Sequence, residues 1–304
     1  MKRSLTVVAV LILALLAGLA GYLYSKQPTR QGQVELNGLQ GSVTVRYDER
    51  GVPHIRAENE ADLYRALGYV HAQDRLFQME VLRRLSRGEL AEVLGPKLVD
   101  TDKLFRSLRI RERADSYIAG LDHQSPAWKA LEAYLDGINQ YQDSHASPIE
   151  FDVLGIRKRP FTAEDTVSVA GFMAYSFAMA FRTEPLLTYI RDELGNDYLK
   201  VFDLDWQPKG VLAKGKTPPS APLATVDWQG LGRIARLSLQ ALEEAGLPQF
   251  EGSNAWVVSG SRTKSGRALL AGDPHIRYSL PSVWYEAQLS APGFELYGHH
   301  QALV

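Results

Sequence analysis

Apolar residues recur with helical spacing over much of the N-terminal two thirds of the chain. The clearest case follows Asn59, where the apolar positions lie three, four or seven residues apart: Leu63, Leu67, Val70, Phe77, Val81 and Leu85. This spacing places one apolar stripe along an amphipathic helix. Asn59, with Asp62 three positions later, predicts the start of that helix near a capping side chain, and Gly88 predicts its end.

Three further segments have the same periodicity. Residues 125–143 predict a second amphipathic helix. Residues 163–181 predict a third, which is so apolar that we expect it to be buried on most sides. Residues 184–194 predict a fourth helix, which ends before Gly195.

Extended segments have a different pattern and flank these helices. Residues 43–47 alternate apolar and polar positions, residues 48–51 favour a turn, and residues 52–57 resume the extended pattern, which predicts a hairpin. Four more candidate strands follow Gly252, at 255–259, 268–271, 283–289 and 294–297. Helices first and strands last indicate an α+β fold.

Residues 205–252 are rich in proline, glycine and lysine and read as a loose spacer, with helical periodicity only at 231–245. We divide the rest of the chain into residues 41–204 before the spacer and 253–304 after it. The final strands lead to Val304 without an element that would cover them, and bare strand edges favour aggregation. We therefore interpret the sequence as the first part of a longer protein.

The N-terminus predicts export. Lys2 and Arg3 precede residues 5–24, a run without any charge that is about as long as a membrane-spanning helix requires. No clear cleavage site follows, and Tyr22 and Tyr24 suit a membrane interface, so an uncleaved anchor is favoured over a cleaved signal peptide. Residues 25–40 are polar and form a linker, and the positive-inside rule places the body in the periplasm or otherwise outside the cytoplasm.

Composition narrows the chemistry. In 304 residues, 34 Lys and Arg balance 35 Asp and Glu, so a dedicated nucleic-acid surface is not expected. The chain has no cysteine, which excludes a thiolate nucleophile, a disulfide framework and a cysteine metal site.

The candidate nucleophile is Ser253, which follows Gly252. If the bond between them is cut, Ser253 carries both a hydroxyl nucleophile and a free α-amine, whose ordinary pKa of ~7.7–8.0 suits a general base near neutral pH. Gly252 has no side chain to obstruct attack on its carbonyl group. Gly-Ser is also a common turn dipeptide, so the pair alone does not establish this chemistry.

Other chemical groupings have structural alternatives. Ser253, His275 and Asp273 could form a conventional triad, although Asp-Pro-His is also a turn that ends a strand. Met173 and Phe177 lie four apart on the third helix and suit either core packing or an acyl pocket. A cluster rich in His and acidic residues could suggest a metal, but a polar face or a buried ion pair between Asp74 and an arginine is favoured; its members are His54, His71, Asp74 and Glu80. The arginines near it are interpreted as a solvated face; they are Arg75, Arg83, Arg84 and Arg87.

Several long motifs in order carry a resemblance to a known family. They are Gly51-Val52-Pro53-His54-Ile55, Asn59-Glu60-Ala61-Asp62-Leu63-Tyr64, residues 66–80 and 83–88, Leu94-Gly95-Pro96, Gly252-Ser253-Asn254-Ala255-Trp256 and Gly272-Asp273-Pro274-His275. Over residues 40–304 the chain resembles the precursor of penicillin acylase-type N-terminal nucleophile hydrolases.

The resemblance implies a four-layer αββα sandwich, here incomplete at the C-terminus, and an exported precursor that cuts itself before Ser253. Removal of the spacer at 205–252 would leave an α subunit from residues 41–204 and a β subunit that starts at Ser253. The resemblance assigns His275 to holding the serine amine and Met173 and Phe177 to the acyl pocket. Glu184 lies near a calcium-binding glutamate of the family, so structural calcium is implied, and no organic cofactor. The oxyanion-hole donors would fall beyond Val304.

Three functions follow as hypotheses. The first is a self-processing amidase for a small acylated amine, such as a penicillin or an N-acyl-homoserine lactone, through an acyl-enzyme on Ser253. The second is a non-catalytic, membrane-anchored binding protein or an inactive fragment of the same fold. The third is a conventional serine hydrolase that uses His275.

Overall fold

A computed structural model describes residues 2–202, 227–244, 250–276 and 278–303. Its α-helices, in chain order, are α1 (Lys2–Ser25), α2 (Glu60–Arg87), α3 (Ala91–Leu94), α4 (Val99–Ser107), α5 (Ile110–Ala119), α6 (Pro126–Ser144), α7 (Ile149–Leu154), α8 (Ala163–Phe177), α9 (Met179–Tyr189) and α10 (Trp228–Glu244). A π-helical turn (Ile190–Leu194) extends α9, and short 3₁₀ turns lie at Pro96–Leu98, Asn196–Phe202 and Gly260–Arg262.

The strands form two separate sheets. They are β1 (Thr44–Tyr47), β2 (Pro53–Arg56), β3 (Phe250–Val258), β4 (Leu269–Ile276), β5 (Trp284–Ala291) and β6 (Phe294–Gln301). One sheet has the order β1-β2-β5-β6, in which only β2 and β5 run parallel; β3 and β4 form an antiparallel pair. The predicted hairpin at 43–57 is confirmed, and it joins the C-terminal strands in one sheet instead of standing apart from them.

Helix α2 is the centre of the structure and has the predicted ends. The Asn59 side chain accepts the N–H of Asp62 at 2.8 Å, and Gly88 ends the helix in the left-handed conformation with φ 65°. Leu63, Leu85 and the other members of the predicted stripe contribute to the main core, although Phe77 and Val81 are only partly buried. The predicted ends and apolar stripe of this helix are therefore confirmed.

Two glycines bring α2 and α6 into direct backbone contact. A Cβ atom added at Gly68 would lie 1.9 Å from the carbonyl oxygen of Tyr134, and one added at Gly137 would lie 1.9 Å from that of Arg65. Both distances are far shorter than any real contact of a side chain with a carbonyl group. The two helices can pack this closely only because both positions are glycine.

The four-stranded sheet packs against α2 through one face. In β5, Tyr285, Ala287 and Leu289 are buried and alternate with partly exposed residues, as expected for a strand covered on one side. Ile55 of β2 pairs with Leu289 and is likewise buried. The main core thus lies between this sheet and the helices α2 and α6.

The third and fourth helices differ from the prediction. The segment predicted at 163–181 breaks at Ala178, whose φ of −76° and ψ of 61° are not helical, and α9 begins at the next residue. Within α8 the predicted burial on most sides is confirmed, because its exposed residues are Ala170, Ala174 and Phe177 and its other positions are buried or partly buried. Val169 and Phe172 are buried, whereas Phe177 is 45% exposed on the stripe that the described elements leave open.

The prediction of a solvated arginine face on α2 is also wrong. Arg83 and Arg84 are buried, and both donate to Glu80, which is fully buried. Arg87 binds Asp165 of α8 at 3.0 Å. The alternating charges on this helix face therefore form an internal network that joins α2 to α8, and the face is not a solvated one.

The N-terminal helix α1 carries exposed apolar side chains from Val10 to Leu23, and the Tyr22 hydroxyl donates to Asp152 of α7 at 2.6 Å. Within the described part of the chain, no helix combines the length and the apolar character needed to cross a membrane. Most of the predicted spacer lies outside the described residues; within it, α10 agrees with the helical periodicity at 231–245.

Candidate active site

Ser253 lies in the antiparallel pair formed by β3 and β4. The residue opposite Ser253 is Pro274, and the residue opposite Gly252 is His275. The Ser253 side chain is exposed. The hairpin therefore places the candidate nucleophile and the Gly-Asp-Pro-His motif next to each other, although they are separate in sequence.

The members of the candidate triad lie on opposite faces of this hairpin. Directly opposed residues of an antiparallel pair share a face, and successive residues alternate. Ser253 therefore shares a face with Pro274, whereas His275 and Asp273 lie on the other face, where their side chains approach to 3.4 Å. Within this hairpin His275 does not face the Ser253 hydroxyl, so the geometry disfavours a conventional triad.

The Asp-Pro-His segment is not the turn that the sequence suggests. Residues 273–275 lie inside β4, which continues to Ile276. Pro274 donates no hydrogen bond, and β4 has β3 as its one partner among the described residues, so proline is tolerated at this edge position.

A register shift lies directly before the candidate cleavage site. Phe250 pairs with Ile276 and Gly252 pairs with His275, so one extra residue, Glu251, is inserted on β3. Such a β-bulge locally bends the strand and leaves the extra residue outside the ladder. The Gly252–Ser253 peptide bond thus follows the one irregular point of the pairing.

The candidate pocket residues lie on the helix that approaches this hairpin. Helix α8 is in contact with β3, and Met173 and Phe177 occupy its C-terminal half. Met173 is partly buried, and Phe177 is largely exposed. The structure brings their helix to the strand of Ser253 but does not test their role in binding.

The candidate calcium ligand Glu184 lies on α9 and is exposed. Across the described ranges, no three or more His, Asp or Glu side chains come together in a way that could hold a metal ion. Glu184 alone does not make a calcium site, so calcium binding stays a prediction.

The His and acidic residues noted in the sequence have separate roles. Glu80 binds Arg83 and Arg84, and the Asp74 carboxylate accepts from Arg30 at 3.0 Å and from the Tyr285 hydroxyl at 2.8 Å. The predicted pairing of Asp74 with an arginine is confirmed, but the predicted burial of the pair is not, because the Arg30 side chain is 44% exposed. His54 lies on β2, next to the side chain of Gln288.

His71 belongs to a buried aromatic cluster that joins α2, α6 and the sheet. Its Nδ1 lies 2.8 Å from the Tyr134 hydroxyl, and its ring stacks on Tyr285 with centroids 4.2 Å apart. The ring of His300 meets it edge-on at 4.7 Å. Nε2 of each histidine is buried and has no hydrogen-bond partner among the residues that the structure describes. Burial lowers the pKa of His71 well below its ordinary value and lowers the pKa of His300 to about 4.

Because of this cluster, we expect the stability of the folded protein to fall in acid. The pKa of His300 is about 6.5 in the unfolded chain and about 4 in the folded one, so the unfolded state binds the proton more tightly between these values. Stability is therefore fully present above pH ~6.5 and falls as the pH drops towards 4, by roughly 3 kcal/mol for His300 alone. Urea unfolding measured across this range should show the loss.

A matched pair of variants checks the assignment. His300→Gln should make the pH dependence shallower and leave the part due to His71, whereas His123→Gln, at an exposed histidine, should leave the dependence unchanged. An equally steep loss of stability in His300→Gln would contradict the prediction.

Sequence reasoning did not identify this cluster. His299 and His300 stand near the end of the sequence without a periodic pattern around them, and Tyr285 looks like any strand aromatic. The one usable signal was the alternation in β5, which places Tyr285 on the face that α2 covers.

The chain is similar to proteins of one family along nearly all of its length. A family profile described as Penicillin amidase matches residues 42–304. Penicillin acylase 2 proenzyme of Pseudomonas sp. is 34% identical over 286 residues, which cover 89% of this chain and 35% of that protein. Acyl-homoserine lactone acylase QuiP of Pseudomonas aeruginosa is 30% identical and is matched over 93% of this chain and 34% of its own length.

A solved structure of penicillin G acylase from Alcaligenes faecalis aligns with a TM-score of 0.42 and 28% sequence identity, covering 60% of this chain and 97% of that one. The chain spans about a third of the length of the penicillin acylase 2 proenzyme and of the QuiP acylase. The profile match covers well over half of the chain, and the Gly252–Ser253 and Gly272–His275 motifs lie within it. The chain belongs to the penicillin amidase family.

Proposed function

We propose that this protein is the N-terminal part of a self-processing amidase that uses Ser253 as its nucleophile. The observation that carries the proposal is the position of Ser253 in a family member: it follows a glycine and a β-bulge and lies opposite the Gly-Asp-Pro-His motif. The neighbouring sequence Asn254-Ala255-Trp256 continues the same strand.

The cut is an N-to-O acyl shift followed by hydrolysis. The Ser253 hydroxyl oxygen attacks the Gly252 carbonyl carbon, the C–N bond breaks, and the departing nitrogen takes up the hydroxyl proton to become the α-amine. Water then hydrolyses the resulting ester and releases the Gly252 carboxylate. Because Gly252 has no side chain, it leaves its carbonyl accessible to the attacking oxygen.

The exposed α-amine then acts as the base for substrate. It accepts the proton of the Ser253 hydroxyl, whose oxygen attacks the substrate amide and forms an acyl ester as the amine product leaves with a proton. Water hydrolyses the ester to a carboxylic acid. His275 lies opposite Gly252, and this pairing supports assigning His275 to holding the new chain end.

The substrate class is a small acylated amine. Two relatives are named for penicillin and for acyl-homoserine lactone. Both kinds of molecule contain a linear amide that carries an acyl group. Met173 and Phe177 of α8 supply apolar surface beside β3 for such a group.

Further parts of the proposal concern the whole protein. Residues 5–24 direct export to the periplasm. Processing leaves an α part (residues 41–204) and a β part from Ser253, and additional sequence completes a four-layer αββα sandwich. The length of the relatives supports the last point. A structural calcium ion would use Glu184 together with ligands from that additional sequence.

The decisive experiment is to express the complete reading frame and sequence the ends of the product chains. We expect a chain that begins Ser-Asn-Ala-Trp and hydrolysis of an acylated amine. Processing without hydrolysis would favour an inactive or binding member of the fold. Hydrolysis without a cut before Ser253 would favour a conventional serine hydrolase and contradict this proposal.

A further inference from the structure

A polar cavity lies between α2, the β1–β2 turn and the start of β5. It has a volume of about 580 Å³, and its walls include Arg30, Arg50, Arg75, Trp284 and Glu286. None of the residues proposed for catalysis or acyl binding lines it. The cavity is therefore separate from the proposed amidase site.

The cavity has an excess of positive charge. Three guanidinium groups line it, from Arg30, Arg50 and Arg75, against the two carboxylates of Asp74 and Glu286. A buried or half-buried cation without a partner is unfavourable unless an anion reaches it.

Both carboxylates are already engaged by other groups. Asp74 accepts from Arg30 and from the Tyr285 hydroxyl. Glu286 accepts from the Tyr297 hydroxyl, and its other oxygen lies 3.9 Å from Nε2 of His299. These contacts leave both carboxylates charged, and the three guanidinium groups still exceed the two carboxylates by one positive charge.

Arg75 is the least satisfied of the three. In the described part of the chain its guanidinium has no ion pair, and its Nε atom is buried without a hydrogen-bond partner. Its Cζ atom lies over the Tyr285 ring, 5.9 Å from the ring centroid. Helix α2 is kinked at this residue, with φ −137° and ψ 16°, so the break in the helix falls at the cavity wall.

Arg50 approaches from the other side of the cavity. It lies in the turn between β1 and β2, where its backbone N–H donates to Asp48 at 2.9 Å. Its exposed side chain has no ion pair among the described residues. The turn is held by Asp48, which also accepts the N–H of Val52 at 2.9 Å, so Arg50 is presented from a fixed backbone.

We propose that this cavity binds a small organic carboxylate, with Arg75 and Arg50 on the carboxylate group and Trp284 beside the body of the ligand. A guanidinium group matches the planar fork of a carboxylate and forms paired, charge-assisted hydrogen bonds with it. The aromatic surface of Trp284 favours a ligand with a flat or apolar body.

Isothermal titration of the 304-residue protein with benzoate tests the assignment. We expect saturable binding to one site, which weakens at high salt because the attraction is between charges. Arg75→Gln should weaken the binding about tenfold or more, and Arg50→Gln should weaken it less, because its charge is exposed to solvent. Glu286→Gln should strengthen it, because a nearby negative charge is removed.

The control is Arg113→Gln, which removes the same charge from an exposed arginine on α5, away from the cavity, and should leave the affinity unchanged. If Arg75→Gln does not fold, Arg50→Gln and Glu286→Gln still test the site with opposite expected signs. The proposal is overturned if benzoate does not saturate, if the cavity variants match the control, or if inorganic phosphate binds and benzoate does not.

Discussion

Replacing Ser253 with alanine is expected to leave the full-length precursor uncut and to abolish amide hydrolysis. Alanine removes the hydroxyl oxygen that attacks the Gly252 carbonyl, so neither the new chain end nor its α-amine can form. Loss of the nucleophile also prevents the acyl ester. We expect the rate to fall by at least about 10⁴-fold, as for the removal of other catalytic nucleophiles.

Two measurements on the same samples separate these effects. Gel electrophoresis follows the cut, and release of the free amine from an acylated substrate follows hydrolysis. Ser261→Ala is the matched control, because Ser261 is an exposed serine just beyond β3 and its loss should affect neither readout. A Ser253→Ala precursor that is still cut before position 253 would disprove the assigned nucleophile.

Replacing Glu80 with glutamine is expected to cause a large loss of stability. Glu80 is fully buried and accepts from both Arg83 and Arg84, with Arg159 at 3.7 Å. Without its charge, the buried guanidinium groups of Arg83 and Arg84 lose the carboxylate that they share. Breaking such a network costs about 3–5 kcal/mol, which urea unfolding of the 304-residue protein would measure.

Glu92→Gln provides a control on the same arginine. Glu92 binds Arg84 at 3.1 Å, but its side chain is 58% exposed. Solvent screens such a pair, so the expected loss is below about 1 kcal/mol. Similar losses in the two variants would mean that the network around Glu80 does not behave as a buried one.

The arginines of α2 show where sequence reasoning reached its limit. Asn59 and Gly88 have local capping roles, which depend only on nearby residues, and so the ends of α2 could be predicted. The alternation of Arg83 and Arg84 with acidic residues is the same whether a helix face meets water or another helix. Only the position of Asp165 on α8, distant in sequence, makes this face internal.

In the candidate site, too, some features could be predicted from the sequence and others could not. The Gly252–Ser253 motif and the strand that carries it could be predicted, because glycine, serine and the alternation after them are local features. The side of the hairpin on which His275 lies could not, since it depends on the register between β3 and β4. A shift by one residue would have reversed it.

The contact between α2 and α6 has a consequence for engineering this protein. Alanine normally stabilises a helix by about 1 kcal/mol relative to glycine, and replacing helical glycines is a common route to a more heat-resistant variant. At Gly68 and Gly137 this route is closed, because a methyl group would occupy the space of a carbonyl oxygen.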